Sequence, residues 1–249
     1  MALPLELAAR RYRQQAGWTA QLRRHLFARA GLPNARRVLD IGCGTGAVLA
    51  AIEPPPRTRL FGLDIDKASL HMAQQEIPRA RFTSGDAHRL PYFPGSFDIA
   101  FFHFVLLWLA DPLQALREAA RVTRPGAFVI AFAEPDYSQR INKPASMLPL
   151  GALQTEALRM QGADPGIGGH LAKLFRAAGL AVLESGQLQM AEQPVQRDDA
   201  LEWEVLQADL ADRVPGTDLE RLATEYYRAS QSGALSLHVP TFFAIARVN

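Results

Sequence analysis

The stretch Val38-Leu-Asp-Ile-Gly-Cys-Gly-Thr-Gly46 carries the most chemistry in the chain. A short apolar run followed by glycine at every second position reads as a strand entering a tight turn. Glycine lets a ligand approach the backbone because no Cβ stands in the way. A turn that leaves a strand and opens a helix is expected to point unpaired N–H groups outward. Two ligands fit such a loop. Gly42-x-Gly44-x-x-Ala47 satisfies the dinucleotide fingerprint, and Asp64, 18 positions after Gly46, stands where that fingerprint places its ribose-binding acid. Against it, Asp40 lies inside the strand, two residues before the first glycine, where a dinucleotide site takes an apolar residue. A carboxylate there suits a ligand bearing a positive amine, and Gly46 extends the glycine alternation. The loop therefore favours a sulfonium nucleoside, with a nicotinamide dinucleotide as the alternative.

Strands alternating with helices must bring such groups to one edge, and the hydrophobic pattern supplies them. Residues 37–41, 59–63, 80–83, 97–102 and 127–133 read as short apolar strands. Residues 47–52, 67–76 and 112–122 read as the helices between them, stopped by Pro54-Pro55-Pro56, Pro78 and the Pro125-Gly126 turn. This order predicts a parallel sheet covered on both faces. Residues 5–30 read as one helix ended by Gly31. Beyond Glu134 the spacing predicts helices over 146–160 and 167–178, a strand over 180–190, a polar helical segment over 192–235 and a closing strand over 238–248.

These motifs together resemble the class I S-adenosylmethionine-dependent methyltransferases, in particular the small-molecule group related to quinone-biosynthesis enzymes. Leu39-Asp40-Ile-Gly-Cys-Gly-Thr-Gly46 is similar to the family's first motif, Phe61-Gly-Leu-Asp64-Ile-Asp66 to its second and Ser84-Gly-Asp86-Ala87 to its third. Leu90-Pro91, Ser96-Phe97-Asp98 and Arg124-Pro125-Gly126-Ala127 follow in the family's order. The resemblance spans roughly residues 36–135 and implies an α/β fold: a doubly wound, mostly parallel seven-stranded Rossmann-like sheet with an antiparallel last strand, plus helical lid insertions. It divides a single domain, 1–249, into an N-terminal helical cap (1–31), a cofactor-binding half (32–134) and lid insertions (135–166 and 192–235).

The resemblance also implies roles. Gly42, Cys43 and Gly44 would contact the methionine part of S-adenosylmethionine, with Asp40 near its amino group. Asp64 would accept from both ribose hydroxyls, Ile65 would pack on adenine, Asp86 would accept from the adenine amine and Ala87 would donate its N–H. His103, after the fourth strand, would lie beside the transferring methyl and contact the cofactor. A histidine there is also a candidate base, since its pKa lies near working pH, and Asp136 is a second candidate. Tyr12, Gln15 and Trp18 fall along one side of the first helix, and Tyr12 is expected to close over the cofactor. Met147, Leu150, Met160, Trp203, Tyr226 and Tyr227 are expected either to line an apolar acceptor pocket or to pack the lid. The implied reaction is SN2 methyl transfer to a small molecule, leaving S-adenosylhomocysteine. An RNA or protein methyltransferase and an NAD-dependent oxidoreductase are the alternatives.

Composition bounds the rest. With 249 residues, 48% hydrophobic and 21% charged, the chain is long enough for a full core and excludes a disordered or disulfide-stapled protein. Its 27 basic against 25 acidic residues leave too small an excess to argue for a nucleic-acid partner. No metal-ligand spacing stands out. The single cysteine, Cys43, fits a reducing compartment. The N-terminus lacks the pattern of a signal peptide and the longest apolar run is too short to span a bilayer, so a cytoplasmic protein without a membrane partner is expected.

Overall fold

A break at Thr19 shapes the cap. In the computed structural model, which describes residues 3–188, 198–211 and 213–249, the expected single helix is two: α1 (Leu5–Trp18) and α2 (Ala20–Arg29). Gly17 weakens the helix just before the break. The Thr19 hydroxyl and the Arg23 guanidinium both reach back to the Ala16 carbonyl, offering the backbone an alternative to the helical ladder.

The alternating units follow in the expected order: β1 (Arg37–Ile41), α3 (Ala47–Ala50), β2 (Arg59–Asp64), α4 (Lys67–Glu76), β3 (Arg81–Ser84), β4 (Phe97–Phe102), α5 (Pro112–Val122) and β5 (Thr123–Pro135). β5 runs past the expected strand at both ends. α4 begins at Asp66, whose carboxylate accepts the N–H groups of Ala68 and Ser69. After β5 come β6 (Ile141–Lys143), α6 (Leu148–Met160), α7 (Ile167–Ala177), β7 (Ala181–Gln187), α8 (Asp199–Leu210), α9 (Gly216–Gln231), β8 (Ser236–His238) and β9 (Thr241–Arg247).

Seven strands form one sheet in the order β3-β2-β1-β4-β5-β9-β7. β1 to β5 pair in parallel, and β9 runs antiparallel to both its neighbours, β5 and β7. Strand residues alternate between two cores, as burial on both faces demands. Leu39, Ala100, Phe102, Val129 and Ala131 pack under α5 and α7. Val38, Ile99, Phe101, Ile130 and Phe132 pack under α2, α3 and α4. Phe27 of α2 sets its ring edge-on to Phe101 and Phe132, with centroids 5.5 and 4.9 Å apart.

The lid departs from the sequence reading in two ways. The expected closing strand over 238–248 is split at Pro240: β8 pairs antiparallel with β6 in a separate small sheet, and only β9 enters the main one. Proline lacks the N–H a continuous ladder requires. The lid also has a core of its own. Met147, Leu150, Trp203 and Tyr226 are buried with Leu206, Leu210 and Leu222 between α6, α8 and α9, while Met160 is 64% exposed and Tyr227 38%. The end of the expected strand at 189–190 and the start of the insertion at 192–197 lie outside the described residues. Among the described residues no helix is long and apolar enough to cross a membrane.

α7 is pressed hard against the end of β5. A Cβ on Gly168 would stand 2.4 Å from the Glu134 carbonyl oxygen and 2.9 Å from the Pro135 carbonyl carbon, both backbone atoms of β5, and 2.9 Å from Phe242 Cδ2. Gly168→Ala is expected to destabilise the fold by about 1–3 kcal/mol, read as a lower urea midpoint at unchanged slope.

Candidate functional site

The glycine loop is shaped by hydrogen bonds to the end of the neighbouring strand. The N–H groups of Gly42 and Cys43 both donate to the Leu63 carbonyl, at 2.7 and 3.0 Å, and the Gly44 N–H donates to Asp64 Oδ2 at 2.7 Å. Gly46 N–H donates to the Cys43 carbonyl. The expectation of outward, unpaired N–H groups is thus overturned: the loop's own donors close onto β2 and onto itself. A pyrophosphate is held by just such free donors at a helix start, and here α3 is a single turn. Gly42 and Gly44 have φ of 74° and 50°, in the region that side chains avoid. The space beside them is taken as well: a Cβ on Gly42 would lie 2.6 Å from Val105 Cγ1, and one on Gly44 would lie 2.8 Å from the Tyr12 ring. The cap helix and the segment after β4 therefore meet over this loop.

Three strand ends supply polar groups beside it. At the end of β2, Asp64 Oδ1 also accepts the Asp66 N–H at 2.9 Å. A carboxylate offers about four acceptor positions, so each Asp64 oxygen keeps one for a ligand hydroxyl. Ile65 follows with 74% of its surface exposed, an apolar face beside a polar strand end. After β3, Asp86 accepts the backbone N–H and Nδ1 of His88 through Oδ1, at 2.9 and 2.6 Å, which holds its carboxyl below the usual range. Among the described residues Asp86 Oδ2 accepts no hydrogen bond, and Ala87 is buried. In β1, Asp40 is buried. Burial and the like charge of Asp64 raise its pKa well above the usual carboxylate value, with Arg23 pulling the other way, so a positive ligand amine would stabilise its charged form. Burial and the same two carboxylates raise the Cys43 thiol well above its ordinary pKa, which leaves it a packed thiol and no nucleophile.

The two candidate bases are both held by the protein's own groups. His103 Nε2 lies 3.0 Å from Thr19 Oγ1, which also accepts from Arg23 at 2.5 Å. Burial, with the Arg23 charge, pushes the His103 pKa down to about 3, so the ring is neutral at working pH. Asp136 is buried at the N-terminus of a 3-10 turn, Tyr137–Gln139; it accepts from the Ser138 N–H at 3.0 Å and from Gln139 Nε2 at 2.6 Å. Between them, Glu134 takes the N–H groups of Val105, Leu106 and Leu107 at 3.1, 3.1 and 3.3 Å. Burial pushes its pKa up to about 7 against the pull of those three donors. The segment so held begins with Phe104, whose φ of 58° is the one positive value at a non-glycine position among the described residues. Such strain persists where the surroundings impose it.

Phe104 opens onto a cavity of about 300 Å³ between the cap, the ends of β4 and β5, and the lid. Gln15 and Trp18 of α1 line it, whereas Tyr12, expected on the same side, lies against Gly44. The lid contributes Tyr137, Arg140, Gln154, Glu202 and His238. None of the six apolar lid residues named from the sequence lines it; they pack or cover the lid instead. The sequence reading missed Arg140, Gln154 and Glu202. The one available signal was a buried amide, Gln154, inside the apolar run of α6.

Residues 39–131 match the family described as a methyltransferase domain. Among curated proteins, it is similar to a malonyl-acyl-carrier-protein O-methyltransferase of Erwinia pyrifoliae, 35% identical over 49% of this chain and 47% of the relative. It is similar also to a demethylmenaquinone methyltransferase of Lactiplantibacillus plantarum, 32% identical over 49% of this chain and 55% of the relative. The chain spans about half the length of these relatives. Among solved structures the cyclase SpnF shares the fold, with a TM-score of 0.59 at 22% identity over 92% of this chain and 80% of that one. The matched residues include the glycine loop, Asp64, Asp86 and His103, while the cap and the lid lie outside them.

Two titrations test this geometry. With its pKa near 3, the His103 ring should show no change in its Cε1 proton shift by NMR from pH 8 down to pH 5. Glu134 has a folded-state pKa raised from 4.5 to about 7, so its contribution is fully present below pH 4.5 and is lost as pH rises through about 7. The stability of the native protein relative to Glu134→Gln, measured by urea unfolding, should fall across that window.

Proposed function

We propose that the chain transfers a methyl group from S-adenosylmethionine to a small-molecule acceptor. The observation that carries this reading is the set at the ends of β1, β2 and β3: buried Asp40, Asp64 with two acceptor positions left, exposed Ile65 and Asp86 beside Ala87. These residues fit an amino acid joined to a ribose and a flat base, and the matched methyltransferase domain supports the same assignment. Asp40 would hold the amino group, Asp64 the two ribose hydroxyls, and Ile65 and Asp86 the adenine. When bound, S-adenosylmethionine supplies an electrophilic methyl group on a sulfonium with a good leaving group.

What remains for the protein is alignment and exclusion of water. Tyr12 and Val105 wall the glycine loop, and Phe104, fixed through the Glu134-bound segment, faces the cavity. We assign His103 a positioning role: as a neutral ring bonded to Thr19, it joins the α1–α2 break to the end of β4. The cavity beside β4 and β5 would receive the acceptor. A small molecule suits its volume better than a polynucleotide does. The arginines of the cap also argue for that reading, since Arg10 and Arg11 pair with Glu204 and Glu202, Arg29 with Glu184, and Arg23 is buried. The domain relatives named for small acceptors support it further.

Calorimetric titration of the purified chain with S-adenosylmethionine, S-adenosylhomocysteine and NAD checks the reading. Both sulfur nucleosides should bind and NAD should not. Asp64→Ala, which removes two charge-assisted hydrogen bonds, should weaken nucleoside binding by about a hundredfold or more. NAD binding with no nucleoside binding would restore an oxidoreductase.

A further inference from the structure

The cavity between cap and lid holds two guanidinium groups that are not equivalent. Arg11 is neutralised where it stands: its Nη1 donates to Glu202 Oε2 at 2.6 Å and to Gln14 at 2.8 Å, and its guanidinium lies 4.8 Å from the Trp18 ring centre. Arg140 has no such partner. It is half-buried, and its Nε and Nη1 donate to the neutral amide oxygens of Asn142, at 2.7 Å, and of Gln154. Among the described residues no carboxylate lies within ion-pair distance of it. Glu202 and Asp209 act on it only at longer range: Gln154 Nε2 stands between and donates to Asp209 Oδ2 at 2.7 Å, and burial favours the neutral form of Asp209. The other acids of the cavity are already engaged, Glu202 with Arg11 and Asp198 with the Leu201 N–H at the start of α8.

A guanidinium turned toward a cavity and held by neutral groups is costly unless a ligand completes it. Asn142 and Gln154 fix two of its donors and leave Nη2 without a hydrogen bond among the described residues. A planar anion is the partner that geometry suits. Across the cavity from this lid wall stand Trp18 and Phe104, with ring centres 6.5 Å apart, next to the end of β4. We propose that the methyl acceptor is an organic acid, its carboxylate docked on Arg140 and its apolar or aromatic body against Trp18 and Phe104. This assignment rests on the methyltransferase reading above and narrows its substrate class. It makes the carboxylate an anchor on the lid side of the cavity, and the methylated atom part of the body near β4.

The test uses the full chain saturated with S-adenosylhomocysteine and titrated with benzoate, indole-3-acetate and hexanoate, each beside its carboxamide. At least one acid should bind, and its amide, which cannot pair with the guanidinium, should bind about tenfold more weakly or worse. Arg140→Gln should abolish the preference for acid over amide, and Arg140→Lys should restore part of it, with affinity for S-adenosylhomocysteine unchanged in both. Amides that bind as well as acids, a panel in which no acid binds, or a preference that survives Arg140→Gln would each overturn the assignment. Should Arg140→Gln fail to fold, the acid-to-amide ratio of the native protein decides alone. A chain that binds no S-adenosylhomocysteine overturns the methyltransferase reading itself, a result visible before any acid is added.

Discussion

The end of β2 sets the shape of everything built around it. The Leu63 carbonyl and the Asp64 carboxylate take the N–H groups of Gly42, Cys43 and Gly44, and so bend the loop after β1 into a path with positive φ at its three glycines. Because Gly42 and Gly44 carry no Cβ, the Val105 side chain and the Tyr12 ring close onto them from different elements. One strand end thereby fixes the seat of the cap helix and of the segment after β4. It also bears on the ligand proposed above. Backbone donors already bonded to β2 are not free to grip a pyrophosphate, whereas the Asp64 oxygens still have acceptor capacity for hydroxyls.

Carboxylates recur as the means of holding loops. Glu134 does for residues 105–107 what Asp64 does for the glycine turn, gathering three N–H groups onto one side chain. Asp136 does so for the turn that starts the lid. Glu134 and Asp136 leave the water for several hydrogen bonds, the condition under which a buried acid is tolerated. A residue with this duty is badly placed to move protons in a reaction, because titrating it would loosen the loop it holds. That is why acids at strand ends, which look like candidate bases in sequence, can be structural here.

How far the sequence could be read follows from the range of the interactions involved. The strands and helices of residues 37–122 stood out because they are local: period-two and period-3.6 patterns, with prolines at the stops. The polar residues at the strand ends were legible for the same reason, since each sits at the end of a strand whose order in the sheet follows from alternation. The break at Thr19 was hidden, because it depends on Arg23 and His103 reaching the same hydroxyl. The cavity between cap and lid was hidden more deeply. Arg140 and Gln154 lie in different elements and only the folded lid joins them. Large apolar residues such as Trp203 and Tyr226 drew attention instead, yet they serve the lid's own core.

The division between sheet and lid bears on what the fold can and cannot decide. A cyclase shares this architecture along nearly the whole chain, so the doubly wound sheet by itself is compatible with more than one chemistry. What distinguishes one such protein from another is the wall that faces the reacting molecule. Here that wall is joined to the cap by Arg11–Glu202, an ion pair with 10% and 18% of its side chains exposed, and by the more open Arg10–Glu204. The exposed pair adds little. The buried one ties α8 to α1 beside Trp18, and so couples the seating of the lid to the helix that also covers the glycine loop. A ligand under α1 and an acceptor under the lid would then press on one shared element. Order in one half favours order in the other, which is the arrangement a two-substrate transfer needs to keep water out until both are bound.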